Sequence, residues 1–370
     1  MQYRVISADD HVVETPGTFV DRVPAALKER VPRVLTGADG GEGWSWDGKP
    51  PAQTFALDTM GTKGRGMKFE QLPKGQWDRA AHLKDLEQDG IDAAVMYPGL
   101  GGRVYGMADR EAKLACFRAY NDWLMDEFCA ADSARLIAMP MIPTDDGPQA
   151  MVAEAERVLS KGAKGVFVSY TAKTVLYDPV FDGLWKLISD AGAVASLHNF
   201  GGGTTPTVFP EGVEPSNVRL ATTITSFFSA VGPLTQMILT GVFQRFPKLK
   251  FLAAEVNVGW VPYWAQQMHM SVYRPKMKGG NWYPHLPTET PEEHIGRNIY
   301  FTVLDDALGF EAMKHDDRLA AATMWSIDYP HGVTLYGQTQ QHIRELTAGM
   351  DEQRKYDILA GNCVRAFNLN

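Results

Sequence analysis

Cysteine is scarce. Cys116, Cys129 and Cys363 are the only three in 370 residues, an odd number without metal-site spacing. They exclude a disulfide framework and predict buried free thiols in a reducing compartment. No apolar run approaches the roughly 18 residues that would suggest a transmembrane helix. The opening MQYRVISADDHVVE lacks the apolar stretch of a secretory leader, so a cytoplasmic protein is expected. Positive charge is in deficit: 36 Lys and Arg stand against 44 Asp and Glu, for a net charge of −8. Nucleic acid and anionic membrane are therefore poor partners, and a small molecule is the expected one. Low-complexity tracts and internal repeats are absent. So is a glycine-rich phosphate turn after the first strand-like run, which tells against a doubly wound nucleotide-binding sheet.

What is present is ordinary globular material, 45% hydrophobic and 22% charged. Eight β-like runs can be counted: Tyr3–Ser7, Ile91–Tyr97, Leu136–Met141, Gly165–Ser169, Val194–His198, Leu249–Glu255, Ile299–Val303 and Ala322–Ile327. Helical patterns separate most of them, at Trp77–Gln88, Glu111–Ala130, Pro148–Ser160 and Pro179–Ala191, followed by a long apolar segment, Ala221–Phe243. Strand and helix alternating in this way predict an α/β fold, a distorted (β/α)8 TIM barrel, as a single domain over residues 1–370. Three stretches exceed a minimal barrel: about 16–76, 199–217 and 273–297, rich in Gly, Pro and Trp. Loops of that length are usually lids or partner contacts, and two of them follow candidate site strands, which places them over the C-terminal face.

The chemistry collects at strand ends. Asp9-Asp10-His11-Val12-Val13-Glu14 follows the first run, and period-two alternation puts Asp9 and His11 on one side of an extended chain. A lone acid there would read as a helix cap; Asp-x-His reads as a metal-ligand pair. Glu14 is a further ligand or a solvated loop carboxylate. His198 closes Val194–Leu197, ahead of Gly201-Gly202-Gly203, which let backbone approach a ligand closely. Glu255 closes Leu249–Ala254; buried there, it needs a cation or a salt-bridge partner. Asp328 ends the last run as ligand and proton acceptor, and His331 follows it in a turn set by Pro330. His82 lies in a helical stretch and reads as packing or surface. His269 is a candidate above the barrel mouth, and His285, His294, His315 and His342 read as surface or loop residues. Tyr97, Trp260, Trp282 and Trp325 are candidates for an aromatic pocket wall. The metal candidates are thus two histidines and four carboxylates: Asp9, His11, Glu14, His198, Glu255 and Asp328. Such a set suits harder cations than a thiolate site does, and also suits a carboxylate-bridged pair of metals.

These motifs, with Phe246-Pro247-Lys248-Leu249-Lys250-Phe251, Ser326-x-Asp328-Tyr329-Pro330-His331 and the closing Gly361-Asn362-Cys363-Val364-Arg365-Ala366-Phe367, resemble the amidohydrolase-related proteins. That is the branch of the amidohydrolase superfamily with aminocarboxymuconate-semialdehyde decarboxylase and the resorcylate-type decarboxylases. The resemblance spans nearly the whole chain. It implies a divalent metal, Zn or Mn, held by Asp9, His11, His198 and Asp328. It also implies a hydrolase or non-oxidative decarboxylase acting on a carboxylated cyclic or aromatic molecule; for catalysis this chain's own residues offer Asp328 to pass protons, Glu255 as a further ligand or the acid/base, and His331 to orient the ligands. The chain departs from the pattern in carrying Asp9 where His or Glu is more usual, and Glu255 where the sixth strand usually ends in His. After the fourth strand, Ser169-Tyr170 supplies no lysine for the carbamate bridge of two-metal hydrolases. The alternatives are a non-haem di-iron monooxygenase using all six residues, with two Fe, and a degenerate barrel acting as a binding or assembly subunit. A homodimer is expected, with the Pro/Gly/Trp-rich segments against the partner.

Overall fold

The computed structural model describes residues 3–51, 66–169, 175–198, 209–277 and 283–369. Parts of the three inserted stretches, and Tyr170 and Trp282, lie outside the described residues. Among the described residues eleven strands are formed: β1 Ile6–Val12, β2 Arg33–Thr36, β3 Glu42–Ser45, β4 Ala93–Pro98, β5 Leu136–Ala138, β6 Met141–Ile142, β7 Gly165–Val168, β8 Val194–His198, β9 Lys250–Ala254, β10 Ile299–Val303 and β11 Thr323–Trp325. All except the antiparallel β2–β3 hairpin pair in parallel. One parallel sheet runs β1-β4-β5 and the other β11-β10-β9-β8-β7-β6. Two junctions join these sheets into the expected TIM barrel.

The first junction is Pro140. The third run reads as one strand from Leu136 to Met141, but proline has no N–H to give to a ladder. The strand breaks there into β5 and β6. Its ends still bridge the sheets, with Met139 N–H donating to Met96 O and Phe167 N–H to Pro140 O. Asn121, buried in helix Arg110–Trp123, replaces the lost pairing. Its Nδ2 donates to Met141 O at 2.9 Å and to Glu154 Oε1 at 2.7 Å, and its Oδ1 accepts from Met141 N at 2.7 Å. Asn121→Ala strands both backbone groups of Met141 in the core. It is expected to cost about 2–3 kcal/mol, read as a lower urea midpoint at unchanged slope.

The second junction is the seam between β1 and the chain beyond β11. Asp328 N–H donates to Asp9 O at 3.0 Å, and His11 N–H to Tyr329 O at 2.7 Å. β1 is displaced from its expected Tyr3–Ser7. It starts at Ile6 and runs through the acidic cluster to Val12, every residue buried. Its register on β4 slips between Ser7, opposite Ala94, and Asp10, opposite Met96, so β1 carries a bulge.

The helices form on expected signals: an Asp78 cap and left-handed Gly90 bound helix Arg79–Asp89, Asp109 caps Arg110–Trp123, and Pro148 opens Pro148–Ser160. The apolar segment 221–243 is not one element. Helices Pro215–Ser226, Val231–Leu239 and Val242–Arg245 divide it, the last two parted by Gly241 at φ 76°. Among the described residues no helix is long and apolar enough to cross a membrane. The three cysteines are buried and unpaired.

Candidate metal centre

The C-terminal ends of the parallel strands converge on one polar cluster. β1 supplies Asp9 and His11, the last residue of β8 is His198, Glu255 directly follows β9, and Asp328 lies three residues beyond β11. Asp9, His11 and His198 each offer a donor atom within 4.8 Å of the others, and so do His11, Asp328 and His331. Asp9 Oδ1 is 3.0 Å from His198 Nε2 and 3.7 Å from His11 Nε2, while Asp328 Oδ1 is 3.4 Å from His11 Nε2. Glu255 Oε2 is 3.7 Å from His198 Nδ1. Both Glu255 and Asp328 have left-handed backbone, each at φ 55°. That conformation is uncommon outside glycine, and the surrounding fold must impose it. For Glu255 it is held by a 2.7 Å bond from its N–H to Thr302 Oγ1 on β10.

The donor chemistry fits a cation. His11 Nδ1 is 2.9 Å from Pro98 O. A carbonyl only accepts, so Nδ1 carries the proton and Nε2 presents a bare lone pair. That lone pair faces two carboxylate oxygens with nothing positive between them. His11 Nε2, Asp9 Oδ2 and both Asp328 oxygens are buried without a hydrogen bond among the described residues. Nor does any Lys or Arg there pair with Asp9, Asp328 or Glu255. Burial, with the Asp9 charge, pushes the Asp328 carboxyl well above the usual range; burial, then the Asp328 charge, does the same to Glu255. Burial depresses the His11 and His331 imidazoles, so both are neutral, the form that ligates. Buried carboxylate oxygens without hydrogen bonds beside the bare His11 nitrogen are costly, and a divalent cation relieves that cost.

The other candidates fall around this cluster. His331 stands edge-on to His11, ring centroids 4.5 Å apart. Glu14 lies outside both donor groups: its Oε1 accepts from Gly99 N at 3.1 Å and Gly101 N at 2.9 Å, fixing the turn after β4. A Cβ on Gly101 would lie 2.6 Å from that oxygen, so the approach requires glycine. Tyr97 packs its ring 4.9 Å from that of His198 and pairs its hydroxyl with Ser196 Oγ at 2.6 Å. Trp325 is wholly buried against Phe310, and Trp260 packs on Trp264 and Phe301. His269 pairs with Glu292 at 2.8 Å. His294 is not a surface residue: it is fully buried, bonded to Asn298 and against Phe243. Asp10, unremarked in the sequence beyond its place in the acidic run, belongs to neither donor group and accepts instead from Ser7 Oγ and Tyr329 N; its signal was its alternation with two candidate ligands.

No curated protein sequence matches the chain. Solved structures do. The crystal structure of an amidohydrolase from Mycobacterium avium subsp. paratuberculosis K-10 matches with a TM-score of 0.75 at 20% identity, covering 99% of this chain and 100% of that one. A 5-carboxyvanillate decarboxylase from Sphingomonas paucimobilis matches with 0.64 at 20% identity, covering all of both chains. Another, from Novosphingobium aromaticivorans DSM 12444 and complexed with manganese and 4-hydroxy-3-methoxy-5-nitrobenzoic acid, matches with 0.68 at 16% identity, over 100% of this chain and 97% of that one. These likenesses carry the fold. Neither they nor the family comparison supports the di-iron oxygenase alternative. The amidohydrolase family model matches residues 50–369, most of the chain, and the protein belongs to the amidohydrolase family.

Proposed function

We propose that the protein is a metal-dependent decarboxylase of a carboxylated aromatic small molecule, with hydrolysis of a cyclic carboxylate as the second reaction class open to the same site. The observation that carries this reading is the bare His11 Nε2 beside the buried carboxylates of Asp9 and Asp328 at the barrel mouth, where Asp9 Oδ2 and both Asp328 oxygens make no hydrogen bond among the described residues. The manganese-bound relative acting on a carboxylated aromatic supports the substrate class. Asp9, His11, His198 and Asp328 would hold Mn or Zn, which supplies Lewis-acid polarisation of substrate oxygens. His331, packed on the His11 ring, orients that imidazole. Glu255, its carboxyl raised by burial and then by the Asp328 charge, stands 3.7 Å from His198 Nδ1 as the proton donor of this reading. In decarboxylation the bond from ring carbon to carboxylate breaks and CO2 leaves. The electron pair stays on the ring carbon, and the Glu255 proton takes the vacated position.

Metal content of protein purified without added metal, measured by plasma mass spectrometry, tests the centre. About one Mn or Zn per chain is expected; protein that carries neither would overturn this reading. Glu255→Gln tests the proton donor. Turnover should fall by about 10²–10⁴-fold with metal content unchanged; loss of the metal would make Glu255 a ligand and remove its role as acid.

A further inference from the structure

The seam that carries three of the four proposed ligands is not closed by backbone alone. Two buried side chains complete it. Ser7 Oγ accepts from Ile327 N at 2.9 Å, and Asp10 Oδ1 accepts from Tyr329 N at 3.2 Å. These acceptors stand where a neighbouring strand's carbonyls would stand in a regular ladder. The ladder is interrupted on both sides, by the bulge in β1 and by the left-handed Asp328.

The bulge also explains how the two side chains meet. Residues three apart on a regular strand point to opposite faces. The extra residue between Ser7 and Asp10 brings them to one face, where the Ser7 hydroxyl donates to Asp10 Oδ1 at 2.6 Å. Asp10 is completely buried, and its Oδ2 makes no hydrogen bond among the described residues. Its hydrogen bonding therefore goes to the seam through one oxygen. In β1 it sits between Asp9 and His11; across the seam its partner adjoins Asp328. One atom thus ties the β1 ligand pair to the ligand 319 residues away from Asp9, the same separation as between Asp10 and Tyr329.

We infer that Asp10 is a positioning residue for the metal centre. With Ser7 it forms a side-chain latch that sets the separation of Asp328 from Asp9 and His11. Asp10 contacts neither metal nor substrate in this arrangement. The inference rests on the metal reading of the site, and the test separates the two.

The experiment is Mn2+ titration calorimetry on the metal-stripped full chain, with thermal melting of the same samples. Asp10→Ala leaves Tyr329 N without its acceptor and frees Asp328 to drift. Its Mn2+ affinity should fall about 10–100-fold. Asp10→Asn keeps an acceptor oxygen in place and should bind within about threefold of the parent. Rescue by asparagine distinguishes position from charge, since it loses the charge as completely as alanine does. Ser7→Ala removes the other half of the latch and should also weaken binding, which keeps the test decisive if Asp10→Ala does not fold. Unchanged affinity in Asp10→Ala, or in Ser7→Ala should it be needed, overturns the latch. So does Asp10→Asn binding as weakly as Asp10→Ala. A parent protein that binds no Mn2+ or Zn2+ defeats the metal reading itself.

Discussion

Asp328→Asn should lower kcat/KM for aromatic-carboxylate decarboxylation by about 10²–10⁴-fold while leaving the metal-free protein at least as stable as its parent. The two effects have one cause. Without a cation, the Asp328 carboxyl sits buried near Asp9 with both oxygens unbonded, and burial first, then the Asp9 charge, raises its pKa. Replacing it with a neutral amide of the same shape relieves the apo protein. The same change removes an anionic donor facing the bare His11 Nε2, so the rise in melting temperature that Mn2+ gives the parent should vanish. Melting curves with and without Mn2+, alongside CO2 release, read both quantities. A variant that keeps the parent's Mn2+-induced shift would show that Asp328 is not a ligand.

His82→Phe should flatten the acid limb of the stability curve. His82 is buried in helix Arg79–Asp89, with Nδ1 donating to Gly75 O at 2.8 Å and its ring against Phe128 and Tyr329. Burial lowers its pKa from 6.5 to about 4. Between those values the unfolded chain binds the proton and the folded chain does not, so stability rises with pH. The neutral imidazole is accommodated without penalty above pH 6.5. Stability is lost as pH falls towards 4, by up to about 3 kcal/mol. Urea midpoints at pH 7.5 and 4.5 check this. The drop between the two pH values should be smaller in His82→Phe than in the parent by about that amount, whatever the substitution costs at pH 7.5. Equal drops would mean that His82 is protonated in the folded state.

The barrel was legible because strands buried on both faces read as plain apolar runs, and seven of the eight runs place the strands within a few residues. The first run misled. Tyr3–Ser7 looks like the strand and Asp9-Asp10-His11 like its sequel, because carboxylates have poor strand propensity. Pairing with β4 overrides propensity and carries the strand through the cluster. The hairpin of β2 and β3 escaped notice because four-residue strands show too little alternation to stand out. Of the two helix breaks at 221–243, the one after Leu239 was signalled by Gly241, which has φ 76°.

At the site, ligand-type residues at strand ends were legible because geometry follows from position on a barrel strand. What those residues bond to was not. Glu14 reads as one more carboxylate near His11, yet its partners are Gly99 and Gly101, 85 and 87 residues along the chain. Asp10 reads like Asp9; only the bulge and Tyr329 give it a different task.

The seam has a consequence for how the protein is made. Asp9 and His11 leave the ribosome far ahead of Asp328, which follows Asp9 by 319 residues. Every barrel strand except β11 can be out and paired while the donor set still lacks its last carboxylate. The nascent barrel is an open sheet with two exposed edges, holding acid and imidazole groups that have no counter-ion. Under the proposed function, loading of the full donor set has to wait for Asp328, and a ribosome stalled before it leaves a polypeptide that closes neither its barrel nor its site.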